Sequence, residues 1–139
     1  MIIPLKIMNY KEYQSPSWIE AYKNAFENCL DFDGRSRRAE YWQFMFMYFL
    51  LGLTVCAICR LLGNTWLIIV FALIHLLPQL SMQAKRLHDC GHTSKWMLGL
   101  FVPFIGSIIS VLIFIFSLSD SEKGENKWGE SPKYYIEDD

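Results

Sequence analysis

Apolar residues gather in three long blocks with short polar stretches between them. From Trp42 to Cys59, Trp66 to Ala84 and Trp96 to Leu118 the chain carries almost no charge. Nearly all Lys, Arg, Asp and Glu fall within 1–41, 85–95 and 119–139. A surface helix of a soluble domain would keep one polar face, whereas these blocks are apolar all round. A soluble domain of this length buries only about two thirds of its unfolded surface and cannot hide three such helices. At ~1.5 Å per residue each block is long enough, with its flanks, to cross a ~30 Å hydrocarbon core. The pattern predicts an all-α fold: a small integral membrane bundle of three transmembrane helices, 42–59, 66–84 and 96–118. Pro103 and Gly106 interrupt the third block. They kink it, or fold it as a re-entrant hairpin that returns the tail to the starting side. Its apolar length favours one crossing.

Polar signals frame the spans. Residues 1–16 end in Ser15-Pro16 and read as a loose tail. Ser17 with Glu20 forms a capping-box pattern, and Trp18, Tyr22, Phe26, Cys29 and Leu30 then share one helical face. An amphipathic helix over 17–30 is expected to lie in the membrane interface, the other use being packing on the protein's own loops. Leu61 to Thr65 is a short turn, so spans one and two should be antiparallel neighbours. One membrane domain over 17–118 is thus flanked by the tail 1–16 and a polar tail, 119–139. The apolar start is too short for a signal peptide.

Arg35, Arg37 and Arg38 precede span one, and Lys85, Arg86 and Lys95 follow span two, but only Arg60 sits at the turn between them. This bias predicts a multi-pass membrane protein with its N-terminus and the 85–95 loop in the cytoplasm. Composition adds little beyond that. The net charge is −1, and no basic stripe carries interleaved aromatics, so nucleic acid is not an expected partner. Cys56 and Cys59 lie inside an apolar run and read as packed thiols.

Four blocks resemble the YhaH-like inner-membrane family, whose biochemical role is unassigned. The first runs Ala21-Tyr22-Lys23-Asn24-Ala25-Phe26 to Phe32-Asp33-Gly34-Arg35-Ser36-Arg37-Arg38-Ala39-Glu40-Tyr41-Trp42. The others are Arg86-Leu87-His88-Asp89-Cys90-Gly91, Trp96 with Pro103-Phe104-Ile105-Gly106, and Gly124-Glu125-Asn126-Lys127-Trp128-Gly129. Their order matches over about 17–132. The family often has arginine in place of His92, and a tryptophan or small residue in place of Lys95. The resemblance implies a small multispan bacterial membrane protein and no particular reaction.

Two constellations are candidates for function. Arg35, Arg37, Arg38 and Glu40 should stand at the same level as Lys85, Arg86, His88 and Asp89. An arginine of the first motif is expected to pair with Asp89, and Glu40 with Arg86. Together they suit an anionic lipid headgroup or a protein partner, or serve as structural ion pairs and topology anchors. His75 and Gln79, four residues apart in span two, would line a path in an oligomeric transporter or channel, or act as helix-packing glue. His88, Cys90 and His92, with Cys29, are potential zinc ligands whose spacing is poor, so no metal or cofactor is expected. No Ser-His-Asp order, carboxylate pair, phosphate loop or HExxH occurs, and no enzyme is expected. The sequence therefore reads as a non-enzymatic interaction or accessory module in the lipid bilayer, with a homo-oligomer or another membrane protein as possible company.

Overall fold

A computed structural model describes residues 8–137. The first part of the N-terminal tail, 1–7, and the last two acidic residues lie outside the described residues. The elements in chain order are β1 (Tyr10–Glu12), α1 (Trp18–Glu27), α2 (Arg38–Leu62), α3 (Trp66–Asp89), a 3₁₀ segment (Ser94–Phe101), α4 (Ile105–Leu118) and β2 (Tyr134–Ile136).

The capping box starts α1 as expected. Ser17 Oγ accepts from the Glu20 N–H at 3.3 Å, and Glu20 accepts from the Ser17 N–H at 2.8 Å. Ala21 and Ala25 are fully buried, which lets the helix lie close on its neighbours. It packs on α2 and α3, with Tyr22 stacked on Phe44 and Trp18 edge-on to Phe46. Trp18 and Ile19 stay exposed on its outer side.

Helix α2 ends at Gly63, whose positive φ of 63° suits a left-handed cap that glycine adopts without strain. The chain turns at once into α3. Tyr41 donates to Gln83 Oε1 at 2.6 Å near one end and Tyr48 stacks on Phe71 further along, so the two helices run antiparallel. Both are long and apolar enough to cross a membrane. Their leucines, isoleucines and phenylalanines point mostly outward, among them Phe49, Leu53, Leu73 and Leu77. An apolar surface of that extent marks contact with lipid rather than water. The buried cluster of Ala25, Tyr41, Phe44 and Met82 joins α1, α2 and α3.

The third block does not form the continuous span expected over 96–118. Its first part is the 3₁₀ segment, and α4 has 14 residues, about 21 Å of helix. Between them Pro103 and Phe104 reverse the chain. The Ile105 N–H reaches Pro103 O at 2.8 Å around Phe104, whose φ is 66° and ψ −46°, the geometry of a γ-turn. Gly106 makes the reversal possible, because a Cβ there would stand 2.6 Å from the backbone oxygen of Leu100. Val102 donates to Gly99 O and Gly106 to Val102 O, so the tip pairs its own backbone groups. Non-helical backbone at membrane depth requires such pairing. Phe104, 92% exposed, forms the apex.

Both ends of this hairpin lie at the polar end of the α2–α3 pair, since Ser117 at the close of α4 meets Trp42 and Arg86. The C-terminal stretch stays there too. β1 and β2 pair antiparallel, with Tyr10 opposite Ile136, Lys11 opposite Tyr135 and Glu12 opposite Tyr134. Within the stretch read as a loose N-terminal tail, the chain thus forms one strand of a small sheet.

Candidate functional site

Asp89 ends α3 and is completely buried. Its carboxylate accepts from Arg35 Nε at 3.1 Å, from Arg86 Nη1 at 2.6 Å and from the Ser121 hydroxyl. Arg86 stands three residues before Asp89, so α3 itself aims both side chains to one side. The two arginines place their remaining donors on backbone carbonyls. Arg35 reaches Glu122 O at 2.8 Å, Gly124 O at 2.9 Å and Gly129 O at 3.1 Å. Arg86 reaches Ser117 O at 3.2 Å, Ser36 O at 3.3 Å and Ser119 O. Such buried charges are tolerable only with this degree of pairing.

The last turn of α4 has carbonyls with no partner inside the helix. Side chains from the neighbouring helices cap them. Cys90 Sγ donates to Phe116 O, Trp42 Nε1 and Arg86 Nε to Ser117 O, and Arg38 Nη1 to Leu118 O at 3.2 Å. The negative end of the α4 dipole therefore faces arginines, which suits it. Burial pushes the Cys90 thiol pKa up, so it acts as a neutral donor here.

The tail closes over this clamp. The His88 ring lies parallel to Trp128 with centroids 4.4 Å apart, and its Nδ1 is 3.1 Å from Gly34 O. Asn126 Nδ2 donates to His88 O at 3.0 Å and to Glu122. Three of the blocks that resemble the YhaH-like family, far apart in sequence, meet at this point.

The expected pair of a first-motif arginine with Asp89 is present as Arg35–Asp89 at 3.0 Å. Glu40 does not pair with Arg86, because Asp89 occupies that guanidinium from one helical turn away. Lys85 is buried and donates to Asn28 O at 3.3 Å. Arg37 is buried and donates to Tyr13 O at 3.0 Å, while Arg38 remains exposed. Glu40, half-buried, shares with Arg37 an open cleft of about 640 Å³ between the start of α1 and the start of α2. The sequence reading missed Ser36, Ser117, Ser121, Asn126 and Trp128 as site residues. Only the resemblance pointed to any of them, through its first block for Ser36 and its last for Asn126 and Trp128.

His75 is buried and uses both ring nitrogens. Nδ1 faces Phe71 O at 2.8 Å, so in the neutral ring it carries the hydrogen, and Nε2 accepts from the Tyr22 hydroxyl at 2.7 Å. Burial pushes the Tyr22 phenol pKa up, consistent with a protonated donor. Phe26, Tyr48 and Phe71 enclose the ring. All of these contacts are made within the chain, and Gln79, one turn further along α3, is half-buried. His92 stacks on Phe116 with centroids 3.8 Å apart. Among the described residues no three His, Cys, Asp or Glu side chains converge as metal ligands.

Residues 29–130 match the family described as protein of unknown function (DUF805). The chain belongs to this family. Inner membrane protein YhaI of Escherichia coli K12 is 33% identical over 115 residues, covering 81% of this chain and 95% of that protein. Inner membrane protein YhaH of the same strain is 31% identical over 120 residues, with the same coverage of each. No solved structure matches. Membership agrees with the outward-facing apolar helices: this is a membrane protein of an inner-membrane family without an assigned reaction. The matched stretch contains the whole clamp, whereas α1 and both strands lie outside it.

Proposed function

We propose that this chain is a non-enzymatic interaction module of the bacterial inner membrane. It crosses the bilayer twice through α2 and α3, dips into it once through the 3₁₀–α4 hairpin, and keeps both termini in the cytoplasm. The polar cap then rests at the inner leaflet and contacts anionic lipid headgroups or a protein partner. One observation carries this reading. The arginines nearest Asp89 are engaged with one carboxylate and seven backbone carbonyls, so the most charged cluster is a brace that fixes the cap. Recognition is left to what the brace presents. Arg38, Lys95, Lys123 and Lys127 are exposed around the cap, and cations near the inner leaflet are each worth ~1 kcal/mol of attraction to anionic lipid.

The test is native mass spectrometry of full-length protein extracted in mild detergent. Bound phospholipid or a stoichiometric membrane-protein partner is expected. Retained phosphatidylglycerol should fall when Arg38, Lys95 and Lys127 are all changed to Gln. Protein that emerges alone and lipid-free would overturn the proposal.

A further inference from the structure

Among the described residues only two buried side-chain polar atoms have no hydrogen-bond partner: Arg37 Nε and Gln43 Oε1. Buried groups of this kind are rare and call for an explanation, an unrecorded ligand being one. Both stand beside the turn that leads into α1. Arg37 is 6% exposed and lines the cleft together with Glu40, Glu20, Asn24 and Ser17. Gln43, which donates to Pro16 O at 3.0 Å, lines the adjoining groove with Trp18, Trp42, Phe46 and Phe49. The two spaces are neighbours. Ser17 lines one and Trp18 the other, and Glu40 and Gln43 are one turn apart on α2.

Their chemistry differs sharply. The groove, about 570 Å³, is apolar and lies on the lipid-facing surface of α2. The cleft holds one guanidinium and two carboxylates, so its own charge is negative. A purely anionic ligand would find one cation and two anions. A ligand bearing a phosphate and a primary ammonium would find a partner for each, the phosphate on Arg37 and the ammonium on Glu40 and Glu20. A polar cleft next to an apolar groove in a membrane protein fits an amphiphile with a hydrocarbon tail.

We propose that the cleft binds the zwitterionic headgroup of an aminophospholipid, with an acyl chain lying along Trp18, Phe46 and Phe49. This rests on the interaction-module reading and names one ligand for it, at a site separate from the exposed lysines. Arg37 holds the phosphate. Glu40 selects the primary ammonium, which can donate three hydrogen bonds where a trimethylated ammonium can donate none.

Full-length protein is reconstituted in nanodiscs holding equal amounts of phosphatidylethanolamine, phosphatidylcholine and phosphatidylglycerol. Lipid retained after extraction is then counted by native mass spectrometry. Phosphatidylethanolamine is expected to be enriched about tenfold over phosphatidylcholine, which carries the same phosphate, and also over phosphatidylglycerol once Arg38, Lys95 and Lys127 are changed to Gln to remove the cations of the cap. Glu40→Gln should abolish the preference over phosphatidylcholine, and Arg37→Gln should lower retention of phosphatidylethanolamine. The wild-type ranking over phosphatidylcholine needs no variant, so a variant that fails to fold leaves the test intact. Retention without headgroup preference overturns this inference and leaves the interaction module standing. Retention of no lipid and no partner overturns both.

Discussion

At the scale of single residues, Asp89 carries the most weight. Among the described residues it is the one acid in contact with two buried arginine side chains, and the other guanidinium nitrogens of both meet carbonyls. Asp89→Asn keeps the shape but leaves two buried guanidiniums without their counter-charge. Breaking a buried pair in this way costs about 3–5 kcal/mol. The variant should unfold well below the wild type in detergent, as read by loss of helical circular dichroism on heating. A melting temperature equal to wild type would show that the carboxylate is not needed. Arg35→Gln should act differently, because it withdraws donors from Glu122, Gly124 and Gly129 while Arg86 still holds Asp89. Proteolysis after Ser119 should become faster while α2 and α3 stay protected. The sequence showed that Arg35, Arg86 and Asp89 stand at one level, because charge at the ends of apolar blocks is visible as pattern. It did not show that Asp89 rather than Glu40 meets Arg86. That choice depends on where the tail brings its serine and carbonyl groups, and backbone acceptors leave no trace in composition.

At the scale of elements, the parts set by neighbouring residues were legible and the reversed hairpin was not. The capping box at Ser17, the α2–α3 turn and the break at Pro103 and Gly106 are local signals. Apolar length alone treated 96–118 as one crossing, since a 3₁₀ segment and a γ-turn are as apolar as a helix. Gly106→Ala tests the hairpin. Its Cβ would press on the Leu100 backbone, which cannot move aside as a side chain would, so a loss of about 1–3 kcal/mol is expected in thermal unfolding. Gly52→Ala is the control, because its Cβ would make only ordinary contact with Phe71 at 3.5 Å and should leave stability near wild type. The strands offer a second element-scale test. Burial pushes Asp120 up, but hydrogen bonds from Lys133, Tyr134 and the Ser121 backbone outweigh it and lower its pKa to about 2. The acid is thus depressed in the folded state. Its support for β2 is complete above its ordinary value of 3.8 and disappears as the pH falls through about 2. Hydrogen exchange at Tyr134–Ile136 should accelerate across that window, and Asp120→Asn should exchange fast at every pH.

At the scale of the whole molecule, geometry and charge both support the topology proposed above, two crossings with both termini in the cytoplasm. The hairpin brings Ser117 back to Arg86, and β2 pairs with β1, so the two terminal segments share one end of the bundle. Between Arg38 and Lys85 the sequence holds a single Lys or Arg, Arg60, at the opposite end. Retention of positive loops in the cytoplasm therefore acts on every polar segment in the same direction. A third full crossing would instead carry Lys123, Lys127 and Lys133 outward and separate β1 from β2 by the width of the membrane. Reporter fusions distinguish the two arrangements. Alkaline phosphatase, active only outside the cytoplasm, should be inactive when fused after Asp139 and active when inserted at Asn64. A fluorescent protein that matures only in the cytoplasm should give the converse. An active phosphatase after Asp139 would show three crossings, and the clamp of Arg35 on the Gly124 and Gly129 carbonyls could not then form in the cell. The same fusion carried on Gly106→Ala links the scales. If the tight approach at Leu100 makes the hairpin, this variant should send a fraction of the C-terminal phosphatase outside, because the straightened block is apolar enough to cross.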